Sequence, residues 1–222
     1  MTTAVERGAG AVAAPDRECP LCPRLVEFRH RQRHAHADWH NAPVPSFGAL
    51  GARLLIVGLA PGLKGANRTG RPFTGDYAGD LLYATLTQFG FARGIYGASA
   101  GDGFALVDCR VTNAVRCVPP ENKPDPPEIA ACRPFLAAEI AGMARLRVIL
   151  TLGAIAHGTV LGALQQRKSA FPFKHGALHE LPDLLLADSY HCSRYNTNTG
   201  VLTAEMFEAV FRAIKARLPA VD

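Results

Sequence analysis

The sequence has few charged residues and lacks any long uninterrupted apolar run. Charged residues are 19% of the 222 positions and apolar residues 48%, which excludes a disordered polyelectrolyte and a coiled coil. The longest apolar stretch, 148–164, contains a histidine and three glycines and is shorter than the roughly 20 residues of a membrane-spanning helix. A basic start followed by an apolar run, the mark of a secretory signal, is also missing. We therefore expect a cytoplasmic protein with no membrane partner.

The cysteine content is too low for a small disulfide-stabilised fold, because six cysteines are spread over a chain long enough to bury a real core. Lys and Arg number 24 against 19 Asp and Glu, and this positive surplus favours a polyanionic partner. Residues 1–16 are rich in Ala and Gly without helical periodicity, which predicts a disordered tail. No later linker divides the chain, so we expect 17–222 to form one domain that acts as a monomer.

Short apolar runs alternate with helical patterns through most of the chain. The runs are RLLIVGL, FALVDCRVTNAV, LRVILTLG and LLLADSY, at 53–59, 104–115, 146–153 and 184–190. Near-continuous apolar strands are typical of parallel sheets that are covered on both faces. Asp125 and Glu128, with two prolines between them, mark the start of one helix, and an apolar stripe from Met206 to Leu218 indicates the last. The pattern predicts a three-layer α/β/α sandwich with a central, mainly parallel four-stranded sheet.

Four of the six cysteines are spaced as a close pair followed by two single partners: Cys19, Cys22, Cys117 and Cys132. Four thiolates in this arrangement suit either a zinc ion or an iron–sulfur cluster. A zinc finger would instead join the first pair to His36 and His40, but the residues between them are helix-forming and leave no room for a β-hairpin. Cys109 lies in a strand pattern and is expected to be a buried small residue, and the role of Cys192 stays open.

The segment after the first apolar run is rich in glycine. Five glycines from Gly58 to Gly75 let the backbone approach a planar or phosphorylated ligand closely. Arg68 and Arg71 are placed to meet phosphate, and Phe73 offers a stacking face. No Lys-Ser/Thr pair follows a Gly-x4-Gly spacing, and the dinucleotide fingerprint is absent, so neither common nucleotide-binding loop is predicted.

Four strings in and around these loops resemble the motifs of the uracil-DNA glycosylase superfamily, and specifically of its type 5 branch. They are GLAPG, GANRTGRPFTGD, VTNAVRC and HCSRYNTNTG, which begin at Gly58, Gly65, Val111 and His191. The resemblance covers the chain from about Cys19 to Leu218. It implies a monofunctional DNA glycosylase that hydrolyses the N-glycosidic bond of uracil, and of other deaminated bases such as hypoxanthine, in DNA. It also implies that the four spaced cysteines hold a [4Fe-4S] cluster.

The resemblance assigns roles to single residues. Phe73 would stack on an extruded base, Asn113 would read its edge through the amide, and His191 would hydrogen-bond the departing base. Without the resemblance, Phe73 is typical of a core residue and Asn113 of a strand end. Asp76 is the carboxylate that the branch implies, while its position equally suits the N-cap of a helix. The base pocket would be completed by Gly58, Ala60, Pro61 and Gly62. The DNA backbone would be contacted by Asn67, Arg68, Arg71, Ser193 and Arg194.

Other interpretations are weighed against this one. Leu59 and Ala60 stand where many superfamily members carry a polar side chain, which favours an iron–sulfur protein that binds damaged DNA without cutting it. A hydrolase of small nucleosides is a second rival, and its rates would not depend on salt as those of a DNA-binding enzyme do. Residues 165–179 interleave basic and aromatic side chains, which suits either a DNA contact or a solvated insertion.

Overall fold

The computed structural model describes residues 13–218, so most of the predicted tail at 1–16 lies outside the described residues. The strands are β1 (Leu54–Gly58), β2 (Ala92–Arg93), β3 (Ala105–Leu106), β4 (Cys109–Asn113), β5 (Val148–Leu152), β6 (Leu178–Glu180) and β7 (Leu185–Ser189). The α-helices are α1 (Pro23–Ala35), α2 (Ala66–Thr69), α3 (Tyr77–Gln88), α4 (Pro126–Gly142), α5 (Ala154–Ala163), α6 (Arg194–Asn198) and α7 (Ala204–Arg217).

The main sheet confirms the predicted mainly parallel architecture but has five strands instead of four. Its order is β4-β1-β5-β7-β6, and β4, β1, β5 and β7 are mutually parallel. The additional strand β6 is antiparallel to β7 at the sheet edge. It is three residues long and partly exposed, so it produces no recognisable hydrophobic period in the sequence.

The predicted strand at 104–115 is divided in the structure. Asp108 has a left-handed backbone with φ of 50°, and the chain turns there between β3 and β4. Only β4 joins the main sheet, whereas β3 pairs with β2 in a separate two-stranded sheet. The Asp108 carboxylate fixes this turn by accepting from the backbone N–H and the Nε of Arg53, at 2.9 and 2.6 Å.

Two apolar layers cover the main sheet. Every residue of β1, β5 and β7 is buried, which explains why these strands are near-continuous apolar runs in the sequence. On one face the strands pack against α3 and α7, and on the other against α4 and α5. The start of α4 has the predicted capping box of Asp125 and Glu128. The three-layer sandwich predicted from the sequence is therefore confirmed.

The four parallel strands end at one edge of the sheet, and the glycine-rich loop, residues 114–125 and residues 190–200 follow β1, β4 and β7 there. Ligands of open α/β sheets bind beyond this edge, so the topology brings distant motifs together. None of the helices within residues 13–218 has both the length and the apolar character needed to cross a bilayer.

Candidate active site

An open cleft with a volume of about 610 Å³ lies beyond the carboxyl ends of β1, β4 and β7. The loops that follow these three strands and the first turn of α3 form its walls. Among the residues singled out from the sequence, those that line the cleft are Ala60, Pro61, Gly62, Phe73, Asp76, Asn113, His191, Ser193 and Arg194. The fold thus gathers segments more than a hundred positions apart into one concave site.

The rings of Phe73 and His191 lie next to each other in the wall of the cleft. Their ring centroids are 5.9 Å apart, and the ring planes meet at 28°. Phe73 is buried and has a left-handed backbone with φ of 51°, an unfavourable conformation for a non-glycine residue. A Cβ on Gly79 would overlap the carbonyl oxygen of Phe73, so the glycine allows α3 to pack directly against this peptide. The loop is held in one strained conformation that points an aromatic ring at the cleft.

A buried ion pair stabilises the Phe73 loop. Arg71 donates from Nη1 and Nη2 to the two carboxylate oxygens of Asp102, at 2.8 and 2.7 Å, and from Nε to Thr74 Oγ1 at 2.8 Å. The Arg71 guanidinium lies within 5.9 Å of the ring centroids of Phe47, Tyr83, Tyr96 and Phe104. Hydrogen bonds from Arg71 hold the pKa of Asp102 well below its usual range. Charge and cation–π contacts together fix the backbone on either side of Phe73.

These contacts correct two of the predicted DNA contacts. Arg71 is only 4% exposed and fully engaged with Asp102, so it is not available to a phosphate. Asn67 is 1% exposed, and its Nδ2 donates to Oδ1 of Asn41 at 2.8 Å. Both side chains position the loop from inside the protein. Arg68 is exposed but lies outside the cleft lining, and its Nε donates to the carbonyl of Lys64 at 2.8 Å.

Asn113 ends β4 beside Gly58, the last residue of β1. Its side chain is 3% exposed, and its Oδ1 has no hydrogen-bond partner among the described residues. A buried amide without a partner costs free energy unless a ligand completes its hydrogen bonds. Asn113 therefore has unused hydrogen-bonding capacity in the wall of the cleft.

His191 follows β7 and is held through its backbone, because its carbonyl accepts from Nδ2 of Asn196 at 2.8 Å. Burial lowers the pKa of His191 to about 4. The ring is therefore neutral at physiological pH and offers one N–H donor and one acceptor to a ligand in the cleft.

Asp76 has a confirmed structural role as the N-cap of α3. Its Oδ1 accepts from the backbone N–H of Gly79 at 3.3 Å. Its Oδ2 faces the glycine-rich loop so closely that a Cβ on Gly62 would lie 2.9 Å away, and one on Gly65 would overlap it. Burial raises the pKa of Asp76 above its usual value. One oxygen thus serves the helix, and the residue also lines the cleft.

The far side of the cleft is formed by the start of α6 and by residues that the motifs did not indicate. Ser193 caps α6 by accepting from the N–H of Asn196 at 3.4 Å. The Arg194 guanidinium lies 5.4 Å from the ring centroid of Tyr77. The lining residues missed from the sequence include Lys64, Tyr77 and Asn122. Asn122 could not be foreseen, because it reaches the cleft through a short 3₁₀ turn with positive φ values.

The four spaced cysteines line one small pocket between α1 and α4, away from the cleft. Cys117 Sγ accepts from Nη1 of Arg29 at 3.8 Å, and Cys132 Sγ accepts from the backbone N–H of Arg116 at 3.4 Å. Burial, reinforced by the neighbouring Cys132 thiol, raises the pKa of Cys22 to about 11. Burial also raises the pKa of Cys117 and of Cys132, so these three thiols hold their protons more tightly than usual, and a bound metal would replace those protons.

Arg29 is the central charged residue of this cysteine pocket. It is 2% exposed, and its Nη2 donates to the carbonyl of Cys19 at 3.2 Å. The Nε of Arg29 has no hydrogen-bond partner among residues 13–218. Within the same residues, Arg29 forms an ion pair with the exposed Glu18, at 3.9 Å between Nη2 and Oε2. A buried cation with little compensating negative charge is costly, so the pocket is built for an anionic group.

Comparison with known proteins agrees with the geometry. A sequence model of the uracil DNA glycosylase superfamily matches residues 45–215. A type-5 uracil-DNA glycosylase of Thermus thermophilus is 47% identical over 204 residues, covering 89% of this chain and 92% of that protein. Proteins of the same name from Mycobacterium bovis and Pyrobaculum aerophilum are 41% and 38% identical, and each covers 89% of this chain. The alignments cover 77% and 88% of those two proteins. The chain belongs to the uracil-DNA glycosylase superfamily, and its relatives place it in the type 5 branch.

Proposed function

We propose that the protein is a monofunctional uracil-DNA glycosylase that hydrolyses the bond between uracil and deoxyribose in DNA. The observation that carries the proposal is the convergence of Phe73, Asn113 and His191 on one cleft. Extrusion of a base from the duplex costs a few kcal/mol, which stacking and hydrogen bonds in the cleft offset. The relatives named type-5 uracil-DNA glycosylase support this substrate.

The residues of the cleft supply each step of the hydrolysis. Phe73 stacks on the extruded base, and the amide of Asn113 completes its unused hydrogen bond on the base edge. As the bond breaks, its electron pair leaves with the base, and the neutral ring of His191 donates a hydrogen bond to the resulting anion. Water supplies the hydroxyl group at C1′ of the sugar, and its proton neutralises the released base. The Asp76 carboxylate orients this water or stabilises positive charge on the sugar.

Substitution of Asp76 by asparagine separates its two roles. Asparagine is as good an N-cap as aspartate, so Asp76→Asn keeps α3 capped while removing the charge. We expect uracil release under single-turnover conditions to fall by at least tenfold in Asp76→Asn and in His191→Ala, with little change in melting temperature. Asp76→Ala is the matched variant that loses both cap and charge. If Asp76→Asn cleaves like the unmodified protein, Asp76 is a helix cap and not a catalytic group.

We propose that other deaminated bases are substrates as well. The cleft of about 610 Å³ is open, and its floor near β1 carries apolar Leu59 and Ala60, so little there rejects a purine. A time course of base release from otherwise identical duplexes with uracil, hypoxanthine or xanthine tests this range. Release of uracil alone would restrict the enzyme to pyrimidines. Tight binding of all three duplexes without any base release would instead support a damage-binding protein.

A borohydride trap tests the monofunctional mechanism. Lys64 lines the cleft, and an amine there could in principle form an imine with the sugar aldehyde of the abasic product. Lys64 is exposed and is better suited to a phosphate contact, so we expect no covalent protein–DNA adduct. An adduct that disappears in Lys64→Ala would show that the enzyme also has a lyase activity.

We also propose that Cys19, Cys22, Cys117 and Cys132 hold a [4Fe-4S] cluster with a structural role. The soft thiolate donors and the buried Arg29 beside them fit an anionic cluster of this kind. Among the described residues, no three of these sulfurs lie within 4.8 Å of one another. The preference for a cluster over a single zinc ion comes from the resemblance to the type 5 branch, because four thiolates suit either. Iron content and a brown chromophore in anaerobically purified protein test the assignment, and stoichiometric zinc would contradict it.

A further inference from the structure

Residues 165–179, which follow α5 and run into the start of β6, form a basic surface segment that the proposed chemistry does not use. The segment contains Arg167, Lys168 and Lys174 and no acidic residue. All three cations are exposed, and none forms an ion pair with another described residue. Exposed cations without counter-charges form a local positive field that attracts polyanions.

Buried polar contacts hold this segment against the domain. Asp188 on β7 is fully buried, and its Oδ1 and Oδ2 lie 2.7 and 3.1 Å from ring nitrogens of His157 and His179. Nε2 of His157 donates to the carbonyl of Phe171 at 2.8 Å. Both nitrogens of His157 therefore face oxygen acceptors, and despite burial the hydrogen bond with Asp188 raises the pKa of His157. The three side chains could be taken for a metal site, but these hydrogen bonds account for them without an ion.

The segment also contacts the chain next to the catalytic histidine. The ring of His175 stacks on Tyr190, with centroids 4.9 Å apart and planes at 21°. The backbone N–H of Tyr190 donates to Nδ1 of His175 at 3.1 Å, and that of Gly176 donates to the carbonyl of Asp188 at 2.9 Å. Tyr190 directly precedes His191. Residues 171–177 therefore lie at the same edge of the sheet as the cleft.

The sheet order gives the distance between this segment and the base pocket. Three strand spacings separate β1 from β6, which is about 14 Å. Phosphates of one DNA strand rise about 3.4 Å per nucleotide along the helix axis, so this distance corresponds to roughly four base pairs. A duplex seated over the cleft and running along this edge would pass within reach of Lys174. Lys168 packs against Gly158 in the first half of α5, the helix that begins at the same edge directly after β5.

We propose that the 165–179 segment is a second DNA contact, in which Lys168 and Lys174 bind backbone phosphates within about four base pairs of the extruded nucleotide. The proposal rests on the proposed function in one respect, namely that the substrate is DNA. Lysines are compact charges suited to phosphates, so the contact adds affinity without sequence preference. The His157–Asp188–His179 group fixes the segment beside the catalytic loop, so binding does not have to order it.

The test compares two double variants that each remove two positive charges. One changes the 165–179 segment, and the other changes the opposite side of the sheet, where the parallel strands begin. Lys168→Ala/Lys174→Ala removes the proposed contact, whereas Arg145→Ala/Arg147→Ala removes two exposed cations that precede β5 at the opposite edge. The probe is a duplex with a tetrahydrofuran abasic site, which the enzyme cannot hydrolyse. Its dissociation constant is measured between 50 and 200 mM salt. Each lost phosphate contact should reduce the slope of log K against log salt by about 0.9.

We expect the slope to be smaller by about 1.8 in the lysine variant than in the unmodified protein. Over this fourfold salt range, the loss of affinity should then be smaller in the variant by a factor of about twelve. The arginine control should keep the original slope. Uracil release at saturating protein should stay unchanged in both, because none of these residues lines the cleft. Equal slopes in both variants would overturn the proposal and leave a solvated insertion. Binding by the unmodified protein without any uracil release would refute the proposed function but not this contact.

Discussion

Gly58 offers a sharp test of the base pocket, because a single methyl group there would disturb two of the three residues that define it. A Cβ on Gly58 would lie 2.5 Å from Oδ1 of Asn113 and 2.5 Å from Cζ of Phe73. Normal contact needs about 3.5 Å, so each group must retreat by roughly 1 Å. Overpacking of this kind costs about 1–3 kcal/mol of stability, and a displacement of about 1 Å in a catalytic group can cost about a hundredfold in rate.

We expect Gly58→Ala to reduce single-turnover release of uracil by about a hundredfold while the protein still unfolds cooperatively. The matched control is Gly51→Ala, because a Cβ on Gly51 would have no atom within 4 Å. Free uracil is measured from a duplex oligonucleotide, and stability is measured by thermal unfolding. Retention of more than a third of the original rate in Gly58→Ala, with normal stability, would show that the positions of Phe73 and Asn113 do not control catalysis.

Three further predictions concern buried charges. Asp102→Asn leaves the Arg71 guanidinium without its counter-charge, and denaturant unfolding should show a loss of about 3–5 kcal/mol, together with slower uracil release. Burial lowers the pKa of His191 from 6.5 in the unfolded chain to about 4 in the folded protein. Between pH 6.5 and pH 4 the unfolded chain therefore binds a proton that the folded protein does not, so the free energy of unfolding decreases as the pH falls. At pH 4.5 this group should cost about 2–3 kcal/mol relative to pH 7, a loss that His191→Asn should not show in the same unfolding measurement. Arg29→Met removes the N–H···S contact and the buried cation of the cysteine pocket, so the iron of the proposed cluster should be lost to a chelator faster than from the unmodified protein. Equal rates of iron loss would contradict the role inferred for Arg29.

Much of the fold could be predicted from the sequence, because strands buried on both faces must be apolar at every position. Every residue of β1, β5 and β7 is buried, and only Thr151, Asp188 and Ser189 among them are polar. Their parallel arrangement then places the segments after them at one edge of the sheet. The edge strand β6 could not be predicted, because its three residues show no alternation of buried and exposed side chains. Their extended conformation is fixed by hydrogen bonding to β7.

The interior of the glycine-rich loop shows the limit of sequence reasoning. An arginine among glycines is typical of a phosphate contact, and the sequence contains no sign that Arg71 is buried. Its burial depends on Asp102, which lies 31 positions away in an irregular segment, and on aromatic rings from several elements. Local sequence patterns indicate which chemistry a side chain could perform. Whether it performs that chemistry depends on its environment, which forms only when distant segments of the chain pack together.

The location of the four cysteines has a consequence for how the protein is made. Cys19 and Cys22 emerge from the ribosome first, and their partners Cys117 and Cys132 follow only after roughly a hundred further residues have been translated. During that interval the amino-terminal thiols are exposed to oxidants and to competing metals. Under the proposed iron–sulfur assignment, cells short of iron or under oxidative stress should therefore accumulate newly synthesised chains whose first helix is undocked and sensitive to proteases, while chains completed earlier stay intact.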